Sequence, residues 1–196
     1  MTRPLRIAVA DDEPDMRDWF QTILPLLGHE VVAVAEDGKD LVAKCRAARP
    51  DLVITDIKMP DMDGIDAATL IYQEWPVPVI LVSAYHDPEF IRRAEADHIL
   101  AYLVKPIKQA DLEPAIGIAM HRFEQFQALR KETTDLKQAL EDRKTIEKAK
   151  GILMKKANLD EHDAFRRLQK LASDKNKKLI EIARSILTAA EAYGGA

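Results

Sequence analysis

The chain has 196 residues, 47% of them hydrophobic, with a formal net charge of -4 and a single cysteine, Cys45. Its length predicts one domain with an appendage, and its longest apolar run, Val77 to Ala84, is far too short to span a bilayer. Acidic residues precede any hydrophobic stretch long enough for a secretory signal, and one thiol excludes an intrachain disulfide. We therefore predict a cytoplasmic protein. We also predict that Cys45 lies in its core.

The charge is distributed unevenly along the chain. Residues 1–120 hold 12 Lys and Arg against 21 Asp and Glu, a net charge of -9. Residues 121–196 hold 17 Lys and Arg against 12 Asp and Glu, a net charge of +5. An acidic front and a basic back indicate two modules with different partners.

The first part of the chain alternates short β-branched runs with helical patterns. Five runs predict strands, and they read LRIAVA, EVVAVA, DLVITD, VPVILVSA and ILAYLV. Helices are predicted over 14–27, 39–48 and 65–74, and from near Pro88 and Gln109 onward. Near-continuous hydrophobic strands separated by amphipathic helices indicate a parallel sheet covered on both faces. The predicted fold class is therefore α/β, with a doubly wound, five-stranded parallel sheet.

A long helix is predicted to follow the sheet, because residues 115–157 contain no proline and only two glycines, Gly117 and Gly151. Apolar positions recur along it at alternating steps of three and four residues, at Phe126, Leu129, Thr133, Leu136 and Leu140. The polar Thr133 interrupts this seam, and Arg143 takes the next position. The seam is typical of two arrangements: a coiled coil that dimerises the chain, or a helix that packs within the monomer.

Two further helical patterns complete the chain. Asp160 is a predicted N-cap for EHDAFRRLQKLA, and Asn176 is a predicted N-cap for KKLIEIARSILTAA. Together with the end of the long helix they predict a small, all-α, three-helix domain.

Polar and charged residues stand at the carboxyl ends of four predicted strands: Asp11 and Asp12, Asp56, Ser83, and Lys105. Because all strands of a parallel sheet point the same way, we expect these side chains at one edge. Clustered carboxylates repel one another unless a cation lies among them, and hard oxygen ligands suit Mg²⁺. The Lys105 ammonium and the Ser83 hydroxyl are suited to bind the other oxygens of a phosphoryl group.

The motifs AVADDEPDMR, DLVITDIKMPDMDG, VILVSAY and YLVKPI together resemble the receiver domain of two-component response regulators, over residues 5–122. The resemblance implies a flavodoxin-like fold in which Asp56 accepts a phosphoryl group from a histidine kinase. The implied Mg²⁺ ligands are Asp11, Asp12, Asp56 and the main-chain carbonyl of Lys58. The groups implied to contact the phosphoryl group are Ser83 and Lys105.

Tyr102 has two interpretations. It matches an aromatic switch whose orientation is linked to the Ser83 hydroxyl, and the alternative is a ring half-buried at a strand end.

The residue two positions after Asp56 distinguishes a phosphoryl acceptor from a hydrolase. Hydrolases that turn over an aspartyl phosphate typically place a second Asp two residues after the nucleophile as general acid and base. Because Lys58 stands there, we expect Asp56 to keep its phosphoryl group, with at most slow self-dephosphorylation, and we do not expect an enzyme.

The C-terminal part is basic, with 12 Lys and Arg against 5 Asp and Glu over residues 143–178. Such a run is either a solvated helical surface or a surface that binds nucleic acid. Phe165 is the only aromatic residue in it, and its spacing with Leu168 and Ala172 predicts a core position.

The stretch from Ile146 to Leu187 resembles the ANTAR domain, a three-helix RNA-binding module found behind receivers in transcription antitermination regulators. The positions that carry the resemblance are Ala149, Lys150, Gly151, Leu153, Met154, Ala164, Phe165, Leu168, Ala172, Leu179, Ile182, Ala183 and Ile186. The candidate RNA-binding residues are Lys148, Lys150, Gly151, Lys155 and Lys156, with Lys150 favoured because it lies in the motif. Gly151 costs the helix about 1 kcal/mol relative to Ala, and is explained by tight helix packing or by the close approach of an RNA phosphate.

The predicted organisation is a receiver domain over 1–122, a helical linker over 123–145 and an ANTAR domain over 146–196. We expect phosphorylation of Asp56 to control RNA binding and transcription antitermination. The predicted partners are a histidine kinase, RNA hairpins in nascent transcripts and a second copy of the chain. Binding to a membrane is not expected. The alternative is a response regulator whose helical tail mediates dimerisation or protein–protein interaction without binding RNA.

Overall fold

The computed structural model describes residues 3–84 and 99–193, so the helix predicted near Pro88 lies outside the described residues. The chain divides into two compact units, Met1–Gln127 and Ala128–Ala196.

The first unit contains a five-stranded parallel sheet, which confirms the predicted fold class. The strands are β1 Arg6–Ala10, β2 Glu30–Ala35, β3 Leu52–Asp56, β4 Val79–Ser83 and β5 Ile99–Val104. Their order in the sheet is β2-β1-β3-β4-β5. The order reverses between β1 and β3, and ligands of such sheets bind beyond the carboxyl ends of the strands at this switch point.

Six helices accompany the strands within the described residues. In the first unit they are α1 Pro14–Leu26, α2 Gly38–Ala48 and α3 Gly64–Glu74. The helix α4 Gln109–Ala157 begins in the first unit and ends in the second, where α5 Glu161–Asp174 and α6 Leu179–Tyr193 follow. Over the described ranges, no helix is both long enough and apolar enough for a membrane span.

Each face of the sheet is buried, which explains the near-continuous apolar strands. On one face Val53 and Leu81 pack with Leu41 of α2 and Ile71 of α3. On the other face the core includes Ile7, Ile54, Phe20 of α1 and Leu112 of α4.

Cys45 lies in the core between the sheet, α2 and α3, as the sequence predicts, and its side chain is fully buried. Burial raises the pKa of its thiol to about 12, so the thiol is not ionised at neutral pH and Cys45 acts as a small apolar side chain.

Aspartates begin three of the helices. The carboxylates of Asp37, Asp63 and Asp160 accept hydrogen bonds from the backbone N–H three residues on, which satisfies a donor of the first turn. The predicted cap at Asn176 is wrong. Asn176 has a φ of 49°, and its N–H donates to the carbonyl of Ser173 at 3.1 Å, so it follows the end of α5 instead of beginning α6.

The buried imidazole of His29 is expected to make the stability of the first unit depend on pH. Its buried Nδ1 accepts a hydrogen bond from the N–H of Leu5 at 3.3 Å, which requires an unprotonated Nδ1. Burial lowers the pKa of His29, against the attraction of Glu113. Because the folded pKa lies below the unfolded value of about 6.5, the unfolded chain binds the proton first. The free energy of unfolding therefore falls as the pH drops through and below that value.

His29→Gln keeps a neutral acceptor for the N–H of Leu5 but cannot titrate. Urea unfolding at pH 7.5 and pH 5.5 is expected to show a larger loss of stability in the wild type than in His29→Gln. An equal loss in both proteins would contradict the role of His29.

Candidate functional site

Charged residues from three strand ends meet at the carboxyl edge of the sheet. The Nζ of Lys105, which follows β5, lies 2.5 Å from Asp56 Oδ2 at the end of β3. It also lies 2.9 Å from Asp11 Oδ2, which follows β1, and 3.1 Å from Glu13 Oε1. The fold thus brings together residues that are far apart in the sequence, at the switch point between β1 and β3.

Four carboxylates form this cluster: Asp11, Asp12, Glu13 and Asp56 each offer one oxygen, and these oxygens all lie within 4.8 Å of one another. Asp11 is fully buried, and Lys105 Nζ is the partner of its Oδ2 among the described residues, at 2.9 Å. Several carboxylate oxygens this close to one another fit a hard divalent cation such as Mg²⁺.

Glu13 is a member of the cluster that the sequence analysis missed. It completes the run of three acidic residues after β1, and that run was the available signal. Its side chain is 62% exposed, so Glu13 lies at the rim of the cluster, whereas Asp11 lies at its base.

The buried charges perturb one another. Burial raises the pKa of Asp11, and the negative charge of Asp56 adds to this, although hydrogen bonds from Lys105 and from the N–H of Glu13 oppose it. For Lys105, burial alone would lower the pKa, but the hydrogen bonds to Asp56 and Asp11 outweigh it and hold the pKa above its ordinary value. Lys105 is therefore a permanent cation between two carboxylates.

Arg17 of α1 fixes the loop that carries the first two aspartates. Its Nη1 donates to the carbonyl oxygens of Asp11 at 2.7 Å and Asp12 at 2.9 Å. Arg17 is not distinguishable in the sequence, because its spacing is that of any polar helical residue.

The loop after β3 closes tightly on the strand end. The N–H of Lys58 donates to Asp56 Oδ1 at 3.1 Å, and the N–H of Gly64 donates to the carbonyl of Ile57 at 2.9 Å. A Cβ at Gly64 would lie 1.9 Å from the carbonyl oxygen of Asp56, so only glycine fits. The ligand role of the Lys58 carbonyl stays a prediction.

Ser83 and Tyr102 lie on neighbouring strands at this edge. Ser83 is buried at the end of β4, and its carbonyl accepts a hydrogen bond from the N–H of Lys105 at 2.8 Å. Tyr102 is half-buried in β5 and packs against the core beside α2 and α3. Their roles in contacting and sensing a phosphoryl group stay predictions.

The second unit has its own small core where α4, α5 and α6 meet. Ala149, Leu168, Ile182 and Ala183 are buried in it. The four residues belong to the apolar pattern of Ile146 to Leu187. This pattern therefore reflects the packing of three helices.

Lys150 is not a free surface cation. Its side chain is only 10% exposed, and its Nζ lies 2.6 Å from Glu147 Oε2 and 2.7 Å from Glu161 Oε1. It thus ties α4 to the first turn of α5. By contrast, Lys148, Lys155 and Lys156 are exposed, and none has an ion pair within the part of the chain that the structure describes. The predicted RNA contact of Lys150 stays a prediction.

Gly151 lies on the side of α4 away from this core. A Cβ built there meets nothing within 4 Å, so tight packing between the described helices does not explain the glycine. Lys148 and Lys155, three residues before and four after, lie on the same helical face.

Phe165 is not the core residue that its spacing predicts. It is 37% exposed and lines a hollow of about 420 Å³ together with Glu147, Lys150, Glu161 and His162. Its neighbour Ala164 takes the buried position instead.

The seam of α4 is exposed. Leu129, Leu136 and Leu140 are 61%, 64% and 54% exposed, so the described helices of the second unit do not cover them. Both predicted arrangements of the seam, a coiled coil between two chains and packing within the monomer, stay predictions.

Comparison with known proteins identifies two modules in the chain. Residues 7–117 match the response regulator receiver domain family, and residues 134–187 match the ANTAR domain family. The chain is 39% identical over 184 residues to the transcriptional regulatory protein PdtaR of Mycobacterium tuberculosis, an alignment that covers 94% of this chain and 90% of that protein.

Solved structures resemble the first unit. The response regulator domain of Thermotoga maritima CheB has a TM-score of 0.56 at 30% identity, covering 61% of this chain and 98% of that chain. A response regulator receiver domain protein from Clostridium thermocellum has a TM-score of 0.56 at 29% identity, covering 62% of this chain and 98% of that chain.

Proposed function

Because the chain belongs to the response regulators in which a receiver domain is followed by an ANTAR domain, we propose that a histidine kinase phosphorylates Asp56 and that this controls RNA binding by the C-terminal unit. The observation that carries the proposal is the cluster in which Lys105 Nζ lies between Asp56 and Asp11. It combines a nucleophilic carboxylate, further carboxylates for a cation and a fixed positive charge.

In the proposed transfer an Asp56 carboxylate oxygen attacks the phosphorus of a phosphohistidine. The new O–P bond forms as the N–P bond breaks, and the imidazole leaves with the electron pair. Lys105 is suited to move from the carboxylates to the new phosphoryl oxygens, with Ser83 contacting another of them. The residues that would hold Mg²⁺ are Asp11, Asp12, Asp56 and the main-chain carbonyl of Lys58, and the ion would neutralise charge on the transferring group.

Asp56 is proposed to be a phosphoryl acceptor with at most slow self-dephosphorylation. Rapid hydrolysis needs a positioned general acid and base, and Lys58 stands where hydrolases with an aspartyl nucleophile typically carry one. The aspartyl phosphate would therefore last long enough to act as a signal.

The output we propose is RNA binding that disfavours transcription termination, through hairpins in a nascent transcript. Its support is the ANTAR match over 134–187 and the outward face of α4, where Lys148 and Lys155 flank Gly151. The proposed division is a receiver over 1–122, a helical linker over 123–145 and an ANTAR domain over 146–196. Binding to a nascent transcript would place the protein in the cytoplasm, which remains part of the proposal.

The exposed leucines of α4 favour one alternative output. A tail that only dimerises or recruits a protein also needs an apolar helical seam. RNA binding by the full chain, measured before and after phosphorylation with a panel of hairpin transcripts, separates the two. Phosphorylation-dependent retention of hairpins supports the proposal, and partner capture without any RNA binding supports the alternative.

Gly151→Ala is expected to change stability and RNA affinity in opposite directions. Removing a helical glycine raises the free energy of unfolding by about 1 kcal/mol, and the added methyl group meets no protein atom within 4 Å. If an RNA phosphate approaches Gly151, the same methyl group holds the phosphate away from Lys148 or Lys155 and lowers RNA affinity by roughly 10-fold, the loss of one charged hydrogen bond.

Gly117→Ala is the matched control, because Gly117 also lies in α4 with open space above it, but in the first unit. It is expected to stabilise the protein without changing RNA affinity. Unchanged RNA binding in Gly151→Ala would rule out a close approach there.

A further inference from the structure

The hollow around Phe165 has the side chains that an unpaired nucleobase needs. We infer that this hollow, lined by Glu147, Lys150, Glu161, His162 and Phe165, binds one flipped-out, amino-bearing base of an RNA loop. The inference rests on the proposed RNA-binding function and assigns a base-reading site to it.

The first observation is an aromatic ring where the fold does not need one. Phe165 is 37% exposed, although the neighbouring Ala164 and Leu168 are fully buried in the same helix. An apolar ring left open to water is suited to stack on a planar ligand, and proteins bind unpaired RNA bases by stacking them on Phe, Tyr, Trp or His. His162, one turn before Phe165, lines the same hollow and offers a second ring.

The second observation is the charge of the hollow, which disfavours phosphate. Lys150 is the only Lys or Arg among its lining residues, and its Nζ already lies 2.6 Å from Glu147 and 2.7 Å from Glu161. Two carboxylates against one ammonium would repel a phosphate group. The same carboxylates have lone pairs left for N–H donors, and the amino groups of guanine, adenine and cytosine are such donors.

The third observation is that the hollow is held in shape. Glu147 and Lys150 come from α4, whereas Glu161, His162 and Phe165 come from α5. Lys150 links the two helices through its two ion pairs, and its own side chain is nearly buried. The volume of about 420 Å³ lies within the range of roughly 300–1,000 Å³ for small-ligand sites.

A separate surface is available for the phosphates. Arg166, Arg167 and Lys170 are exposed on α5 and line a different concavity of about 480 Å³, where these three cations outnumber the carboxylates of Asp163 and Asp174. They form no ion pair with any residue in the described ranges. This arrangement separates backbone contacts, which set affinity, from base contacts, which set sequence preference.

The test is selection of RNA by the phosphorylated full chain from hairpins with one fixed stem and a randomised loop. The wild type is expected to enrich an amino-bearing base at one loop position. Phe165→Leu, which keeps an apolar side chain, is expected to lose this preference and to bind the enriched hairpin about 5- to 150-fold more weakly, the effect of one lost stacking contact. Phe165→Trp is expected to retain the preference.

Arg166→Gln with Arg167→Gln is the control for phosphate binding, and it is expected to weaken binding to all loops alike while keeping the preference. Thermal unfolding of each variant checks that the three-helix core remains folded. If Phe165→Leu keeps the wild-type preference and affinity, or if uracil is the enriched base, the base-reading site is overturned while the proposed RNA binding stands. If the wild type retains no hairpin at all, the proposed function itself fails.

Discussion

Asp56→Asn is expected to abolish labelling by acetyl phosphate in Mg²⁺. Asparagine keeps the shape of the side chain, and its Oδ1 can still accept the N–H of Lys58, which lies 3.1 Å from Asp56 Oδ1. An amide, however, is a poor nucleophile and cannot form the acyl phosphate. The measurement is incorporation of radiolabelled phosphate into the full chain, and we expect a fall to background.

Asp61→Asn is the matched control in the same loop. Asp61 is exposed and pairs with Lys39 at 3.2 Å, away from the carboxylate cluster. It is expected to be labelled like the wild type. If Asp56→Asn is labelled as well as the wild type, Asp56 is not the acceptor.

The second large effect is expected from Leu129→Asp combined with Leu136→Asp. Both leucines are more than half exposed on α4, so introducing charges there leaves the described monomer core intact. If the seam joins two chains, phosphorylation presents two basic tails at a high effective concentration to an RNA with two hairpins. The double variant should then bind a two-hairpin RNA about 100-fold more weakly, the scale of lost avidity, but a single hairpin almost unchanged.

Thr134→Asp with Gln138→Asp is the control, since it adds the same charge to exposed positions on the opposite side of the helix. It is expected to lower the affinity for both RNAs slightly and equally. Equal losses on both RNAs in the leucine variant would exclude dimerisation as the switch, and would favour the release of a masked monomeric tail. Sedimentation of each variant, with and without phosphate on Asp56, measures the oligomeric state directly.

The architecture of the first unit was predictable because its signals are local and repeated. Apolar runs of five or six residues between amphipathic helices specify a buried parallel sheet, and the parallel direction brings every strand end to one edge. Asp11, Asp56 and Lys105 could therefore be expected together before any distance was known. Glu13 and Arg17 were missed, because a third acidic residue and a helical arginine look like ordinary surface residues until the strand ends are assembled.

The second unit shows where such prediction ends. Helical spacing indicated which residues share a face, but not which neighbour on that face is covered by another helix. Spacing assigned Phe165 to the core, whereas the packing of α4 against α5 leaves it exposed. The motif singled out Lys150 but did not show that its ammonium lies between Glu147 and Glu161.

By itself, the sequence determined the α/β fold, the order of its elements, the residue types at the strand ends and the two-part organisation. These follow from periodicity and from the fixed direction of parallel strands. The tertiary structure alone decided that Lys105 bridges Asp11 and Asp56, that Gly64 has no room for a side chain and that Gly151 faces open space. Each depends on distances of a few ångströms between segments far apart in the chain, and periodicity along a single element carries no information about them.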